Sequence, residues 1–348
     1  MAQTLSEYHA TNYSRCVLDY HFLATWQGLA YASHIIQAIS LPFQVLTFYV
    51  ILSHTPVHMK GVKWSIVMNH FWCTLLDFII CMLSTPYVFL RFLAFLGVGV
   101  FSWLGIPYLY QLYVAIFIAF CASGSYIYLF ESRSNSVLEN RFKFTQTQNR
   151  ILYHLLIFIS DLPLYLLFLN VPVNQEEAKL EVLKLDPCPT SEYFFADVLL
   201  ITSDATTIHF FTWVLIPLLL FHSLSHVLFH ATCTVYYIFI APSKSTSAHT
   251  RQIQRQFFIG LIFQTGIPVV LLVAPISYSI MAFLLDNLDQ EWMNLAVIIS
   301  GLHGFGESLV VILVHSSYRN AVWRMIPKFG RDEKVVFTRK MSKPLSRL

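Results

Sequence analysis

Three acidic side chains fall inside long apolar runs of this sequence: Asp77, Asp161 and Glu307. A carboxylate in such a run is costly, so each is a functional suspect. Histidines accompany them. His303 stands one helical turn before Glu307, and His222, His226 and His230 recur every four residues, along one face of a helix. Two chemistries suit these residue types. One is a buried acid–imidazole network; the other is zinc ligation, as in seven-span hydrolases that use histidines and an aspartate. The zinc reading lacks a third ligand set and a His-Glu-x-x-His motif, and ligands so regular on one helix cannot surround a metal alone. No metal or cofactor is therefore expected, and polar packing between helices is the preferred role for the histidine row.

Helical rise sets the depth of the remaining groups. Asp77 lies ~20 Å from the inner end of its run, His303 ~17 Å and Glu307 ~10 Å from the inner end of theirs. Asp77 and His303 thus share a height. The expectation is a polar network of Asp77, His303 and Glu307 between the second and seventh helices, biasing one of two packings. A static packing bond explains the same pair, and the residues alone do not separate the two readings.

The elements that position these groups follow from composition. The 348 residues are 56% hydrophobic and only 12% charged, with mean hydropathy +0.59. Soluble domains carry about 25% charged residues, so lipid is the expected solvent. Seven runs are long enough to cross a ~30 Å hydrocarbon core: 26–52, 64–90, 103–130, 151–169, 208–240, 257–285 and 292–314. Each must be a helix, because an open sheet in lipid leaves backbone groups unpaired. The expected fold is an all-α, seven-transmembrane bundle. Residues 1–25 form an outer segment, 26–314 the membrane domain and 315–348 a cytoplasmic tail.

Basic residues orient it. Eighteen of the 22 Lys and Arg fall in alternate loops and the tail, and four in the loops opposite. Lys and Arg are retained on the cytoplasmic side, so the N-terminus is expected outside. The long outer loop, 170–207, is acidic. Cys16 and Cys188 are the two outer cysteines and meet an oxidising compartment, so they are expected to pair. Asn12-Tyr13-Ser14 is a glycosylation sequon on the same side. After Val314, Tyr318, Val322, Met325, Ile326 and Phe329 share a helical face, the pattern of a short amphipathic helix on the inner membrane surface. The basic tail answers anionic membrane lipid rather than nucleic acid. No phosphate loop or nucleophile elbow is present.

Several motifs in order resemble one family. Thr55-Pro56-x-x-Met59-Lys60-x-Val62-Lys63-Trp64 at the first inner turn, Asp77 in the second run and Pro86-Tyr87 near its end resemble the nematode serpentine receptors of class H. Gln254-x-Gln256-Phe257-Phe258 leading to Gln264-x-x-Ile267-Pro268, then His303-Gly304 and His315-x-x-Tyr318-Arg319, are similar to that family's sixth and seventh spans. Departures are Arg91 where a proline is usual, Glu307-Ser308 for a Ser-Thr pair, and Glu131-Ser132-Arg133 in partial match to Glu-Asn-Arg, which Glu139-Asn140-Arg141 repeats in full.

The resemblance implies a chemosensory, G-protein-coupled receptor rather than an enzyme, in the plasma membrane of sensory neurons. Its small-molecule ligand would enter between the outer halves of helices three, five, six and seven. Tyr108, Gln111, Phe211, Tyr278 and Trp292 are the ligand candidates by depth, with an aromatic lining suited to small volatile or lipid-like molecules. Arg133 or Arg141, with Arg251, Arg255, Tyr318 and Arg319, would face a heterotrimeric G protein. Competing classes are the zinc hydrolase and a transporter; the latter expects repeated halves and broken helices.

Overall fold

The computed structural model describes residues 4–16, 21–137, 139–184, 186–241, 247–285 and 287–325. Seven helices in it are long and apolar enough to cross a membrane: Trp26–His54, Met59–Leu83, Tyr108–Asn135, Thr147–Asn170, Ala205–Ile240, His249–Leu284 and Gln290–Val314. They are called the first to seventh spans below. With seven spans, the residues before the first and after the seventh lie at opposite ends of the bundle, called here the N end and the tail end.

Local chemistry moves several boundaries from those expected. The second span stops at Leu83 instead of residue 90, and Pro86–Phe89 becomes strand β1. Proline disfavours helix in the residue before it, and Thr85 takes a left-handed φ of 45°. Hydropathy alone cannot tell Tyr-Val-Phe in a strand from the same residues in a span. β1 pairs antiparallel with β2 (Ala94–Gly97), and β2 with β3 (Leu199–Leu200). The bundle is therefore helical in the membrane but carries a small three-stranded sheet at its N end.

The third span is shifted toward the tail end, beginning at Tyr108 after Pro107 and running to Asn135. Gly105, at φ 73°, makes the turn that precedes it. Its last turns hold Glu131, Ser132 and Arg133, polar residues that are buried and partnered within the protein. The fourth span tightens into a 3-10 helix after Asp161, where Pro163 removes a donor. The seventh span is two helices, Gln290–Ser300 and His303–Val314, joined at Gly301–Leu302.

Lipid is as apolar as leucine, so close packing and polar contacts, not water exclusion, hold spans together. Small residues permit the approach. A Cβ on Gly304 would lie 2.4 Å from the Asp77 carboxylate, and one on Gly301 would lie 2.1 Å from the Cys81 sulfur. The second and seventh spans thus touch backbone to side chain.

The helix Ser316–Met325 follows the seventh span. Ile326 and Phe329, expected on its apolar face, lie outside the described residues. Tyr318 is fully buried and bonds Thr55 through its hydroxyl at 2.9 Å. It packs into the bundle rather than onto lipid.

Candidate functional site

A continuous polar network crosses the middle of the bundle. Asp77 Oδ1 lies 2.7 Å from His303 Nδ1. The same carboxylate accepts from Gln44 Nε2 at 2.8 Å and from the Gly304 amide at 3.2 Å. Further toward the tail end, two turns along the second span and one along the seventh, His70 Nδ1 meets Glu307 Oε2 at 2.5 Å. The His70 Nε2 lies 3.0 Å from the Gln44 carbonyl. A carbonyl only accepts, so Nε2 carries a hydrogen, and the short contact on the other side holds one proton between imidazole and carboxyl. Gln264 of the sixth span donates to Glu307 Oε1 at 3.2 Å, and its carbonyl oxygen faces His315 Nε2 at 3.3 Å. Gln44, Asp77, His70, His303, Glu307 and Gln264 are each at most 1% exposed.

The network joins the first, second, sixth and seventh spans through two acid–histidine pairs. Glu307 partners His70 and Gln264, not the Asp77–His303 pair directly. Sequence reasoning missed His70, Gln44 and Gln264. A signal existed for the first: His70 precedes Asp77 by two helical turns, on the same face, as Glu307 follows His303 by one.

At the tail end, the third span is clasped to its neighbours. Glu131, fully buried, accepts from Arg150 at 2.6 and 2.8 Å, with His154 at 3.5 Å. Arg133 donates to the Gln254 carbonyl of the sixth span at 3.1 Å, and its guanidinium lies 5.0 Å from the Phe257 ring. Arg133 and Tyr318 are thus turned inward, whereas Arg141 and Arg319 are exposed and Arg251 and Arg255 half-buried. Arg255 lies over Phe239, and Arg319 donates to the Leu313 carbonyl at 2.6 Å. Burial next to Phe257 and Tyr318 lowers the His315 imidazole to about 4.

The N end is covered. Cys16 and Cys188 are disulfide-bonded, with their Cα atoms 5.7 Å apart. Tyr8 and Tyr13 donate to the carbonyls of Pro187 and Pro189 at 3.1 and 3.0 Å. Tyr87, fully buried in β1, donates to Ala24 at 2.7 Å. These bonds lash the N-terminal segment, the long loop and the sheet into one lid. A cleft of about 400 Å³ opens in it, bordered by His21, Arg91, Asp186, Asp289 and Glu291.

The five ligand candidates line none of the described clefts. Tyr108 and Gln111 are buried beneath β2, where Gln111 donates to Ser102 and to the Ile106 carbonyl at 3.0 and 2.8 Å. Phe211 is buried on the fifth span. Tyr278 and Trp292, 41% and 53% exposed, form a separate pair with ring centroids 6.2 Å apart. None of the five borders the lid cleft. Depth along each helix was the basis for grouping them, and depth says nothing of helix rotation. Asn12 is exposed at the end of the helix Leu5–Thr11.

The histidine row of the fifth span faces the fourth, where Tyr153 and Asp161 meet it. Among the described residues, no group of three His, Cys, Asp or Glu side chains is placed to hold a metal ion.

The chain matches the family model described as serpentine type 7TM GPCR chemoreceptor Srh over residues 24–328. It belongs to the Srh chemoreceptor family. The Srh chain is 33% identical over 323 residues to serpentine receptor class H-72 of Caenorhabditis elegans, spanning 91% of each protein. Its fold is similar to that of squid rhodopsin, with a TM-score of 0.51 at 11% identity over 94% of each chain. That likeness bears on fold alone. The family and fold are those of multi-pass membrane receptors and not of enzymes.

Proposed function

We propose that this Srh chain is a chemosensory receptor that binds a small external ligand at its N end and signals to a heterotrimeric G protein at its tail end. The observation that carries the reading is the buried network: two acid–histidine pairs tie the sixth span to the first, second and seventh. Such a network has two states, joined and parted, and a ligand that favours one shifts the population by its differential affinity. The Arg133–Gln254 clasp is the tail-end counterpart. Parting it would free the third and sixth spans from each other and uncover Arg133 beside Arg141, Arg251, Arg255 and Arg319, a basic surface for the G protein. Tyr318 would stay inward and hold the tail helix.

The lid makes the N end the ligand's approach. Tyr278 and Trp292 flank it at the sixth and seventh spans, and Tyr108, Gln111 and Phe211 would be reached once the lid opens. The basic-residue bias puts the N end outside, with Asn12 open to glycosylation and the tail against inner-leaflet lipid. Sensory neurons are the proposed cells.

The test is a ligand screen in cells expressing the chain, reading second messenger or calcium. A ligand response that vanishes when G-protein coupling is blocked supports the proposal. Phe257→Ala, which keeps Arg133 but removes the ring its guanidinium lies on, should raise the ligand-free signal by loosening the clasp. Flux of a solute independent of any G protein, or labelling of Leu348 from the medium of intact cells, would overturn it.

A further inference from the structure

A second polar chain runs between the fourth and fifth spans, apart from the central network. His230 Nε2 lies 3.0 Å from the Tyr153 hydroxyl, which lies 2.8 Å from His226 Nδ1. His226 Nε2 then lies 3.2 Å from His222 Nε2. His222 Nδ1 faces Asp161 Oδ1 at 3.7 Å. The chain climbs from near the tail end to mid-membrane: on the fourth span Tyr153 stands ~9 Å and Asp161 ~21 Å from Thr147.

Three of its atoms lack a hydrogen-bond partner: His230 Nδ1, His222 Nδ1 and Asp161 Oδ1. Asp161 is 4% exposed and His230 3% exposed, while the His222 side chain is 28% exposed. The unfilled atoms sit at the two ends of the chain. The tail-end cavity, about 470 Å³, is bordered by Tyr153, His226 and His230. A groove of about 520 Å³ on the other side of the fourth span reaches Asp161.

We infer that this chain is a proton path that loads the Asp161 carboxylate from the tail-end cavity through His230, Tyr153, His226 and His222. Each neutral imidazole has one donor and one acceptor nitrogen, and the phenol has one donor hydrogen, so the chain has two complete polarisations. In the first, Asp161 is ionised. His230 Nε2–H points to the Tyr153 oxygen, the phenol hydrogen to His226 Nδ1, His226 Nε2–H to His222 Nε2, and His222 Nδ1–H to Asp161. A proton arriving at His230 Nδ1 displaces each hydrogen one link onward. Asp161 ends protonated and donates to His222 Nδ1, every other link is reversed, and His230 keeps the new proton on Nδ1. One proton enters, one is deposited, and no link is left charged. Closure of the 3.7 Å gap between Asp161 and His222 would accompany arrival.

Other titratable groups face the path. The third span brings Glu131, and the fourth brings His154 and Arg150, which bind Glu131. The His230 ring lies within the electrostatic reach of Glu131, His154 and His226. Ser160 lies 3.4 Å from His222 Nε2 and donates to the Ile157 carbonyl, so it can accept from His222 in the second polarisation.

The test is nitrogen-15 NMR of histidine-labelled protein in lipid nanodiscs, with no ligand or G protein present. Histidine titration is read from about pH 8 to about pH 5. The expected result is a concerted tautomer exchange with one midpoint: His230 and His226 pass from Nε2–H to Nδ1–H while His222 passes from Nδ1–H to Nε2–H. An infrared band of a protonated carboxyl appears at the same midpoint and is lost in Asp161→Asn. Tyr153→Phe removes one hydrogen from the path, so His222 and His226 no longer change with His230. Tautomers constant across the range, separate midpoints, doubly protonated rings, or a concerted exchange that survives Tyr153→Phe would each overturn the path. None of these results bears on whether the protein is a receptor.

Discussion

Replacing Asp77 with alanine tests the central network most directly. The change removes three contacts: His303 at 2.7 Å, Gln44 at 2.8 Å and the Gly304 amide at 3.2 Å. Two limits bracket the cost. If each behaves as a neutral bond between membrane helices, at ~0.6 kcal/mol each, the loss is about 2 kcal/mol. If Asp77 and His303 form a buried ion pair, removing one partner leaves an uncompensated charge and costs about 3–5 kcal/mol. The closed 2.7 Å contact and full burial of both side chains favour the larger figure. The assay is reversible denaturant unfolding in mixed micelles, with a double-mutant cycle adding His303→Ala. The cycle should return most of the single-mutant cost as coupling energy, because the His303→Ala background has no charge left to strand. A cost of about 1 kcal/mol or less, or coupling near zero, would refute the claim that this pair holds the second and seventh spans together.

Other perturbations carry equally definite outcomes. Gly304→Ala should destabilise by about 1–3 kcal/mol, the cost of overpacking, because its methyl would meet the Asp77 carboxylate at 2.4 Å; Gly124→Ala, mid-helix with no atom within 4 Å of the added carbon, is the clash-free control and should not destabilise in the same unfolding assay. Cys188→Ser opens a disulfide that closes 172 residues of sequence, and about 2–4 kcal/mol of lid stability should go with it, read as faster amide exchange in residues 175–182. Lys179 is buried in the lid, donating to the Phe195 carbonyl at 3.1 Å, and burial lowers its ammonium to about 8. The unfolded chain still holds that proton up to about 10.4, so lid stability should rise with pH between those values and be flat in this respect below them. Lys179→Met should abolish that slope in a thermal-stability series. His315 has the same sign at lower pH: it is held neutral to about 4 when folded, so tail-end stability should fall as pH drops from about 6.5 toward 4, and His315→Gln should remove the fall.

How far the sequence reaches depends on which physical scale a feature lives on. Seven crossings are legible because each needs only length and hydropathy, properties of a contiguous stretch. The common height of Asp77 and His303 is legible too, since helical rise is constant. The partner of Glu307 is not. Choosing His70 over His303 requires the rotation of the second span about its axis, which is set where Gly301 and Gly304 let that span approach. The same gap explains why a shared depth does not place Tyr108, Gln111, Phe211, Tyr278 and Trp292 around one described cleft, and why Arg133 turns inward onto Phe257.

By itself, then, the order of residues determined a heptahelical membrane protein, the uneven placement of its cations and the buried acids and histidines that lipid would not tolerate alone. Tertiary structure alone decided that Pro86–Phe89 leaves the second span to build a lid, that two acid–imidazole pairs line up across four spans, and that the fifth-span histidines join Tyr153 and Asp161 in one chain. The physical reason is range. Hydropathy and rise act along neighbouring residues, whereas helix rotation and side-chain pairing are settled by contacts between segments a hundred or more residues apart.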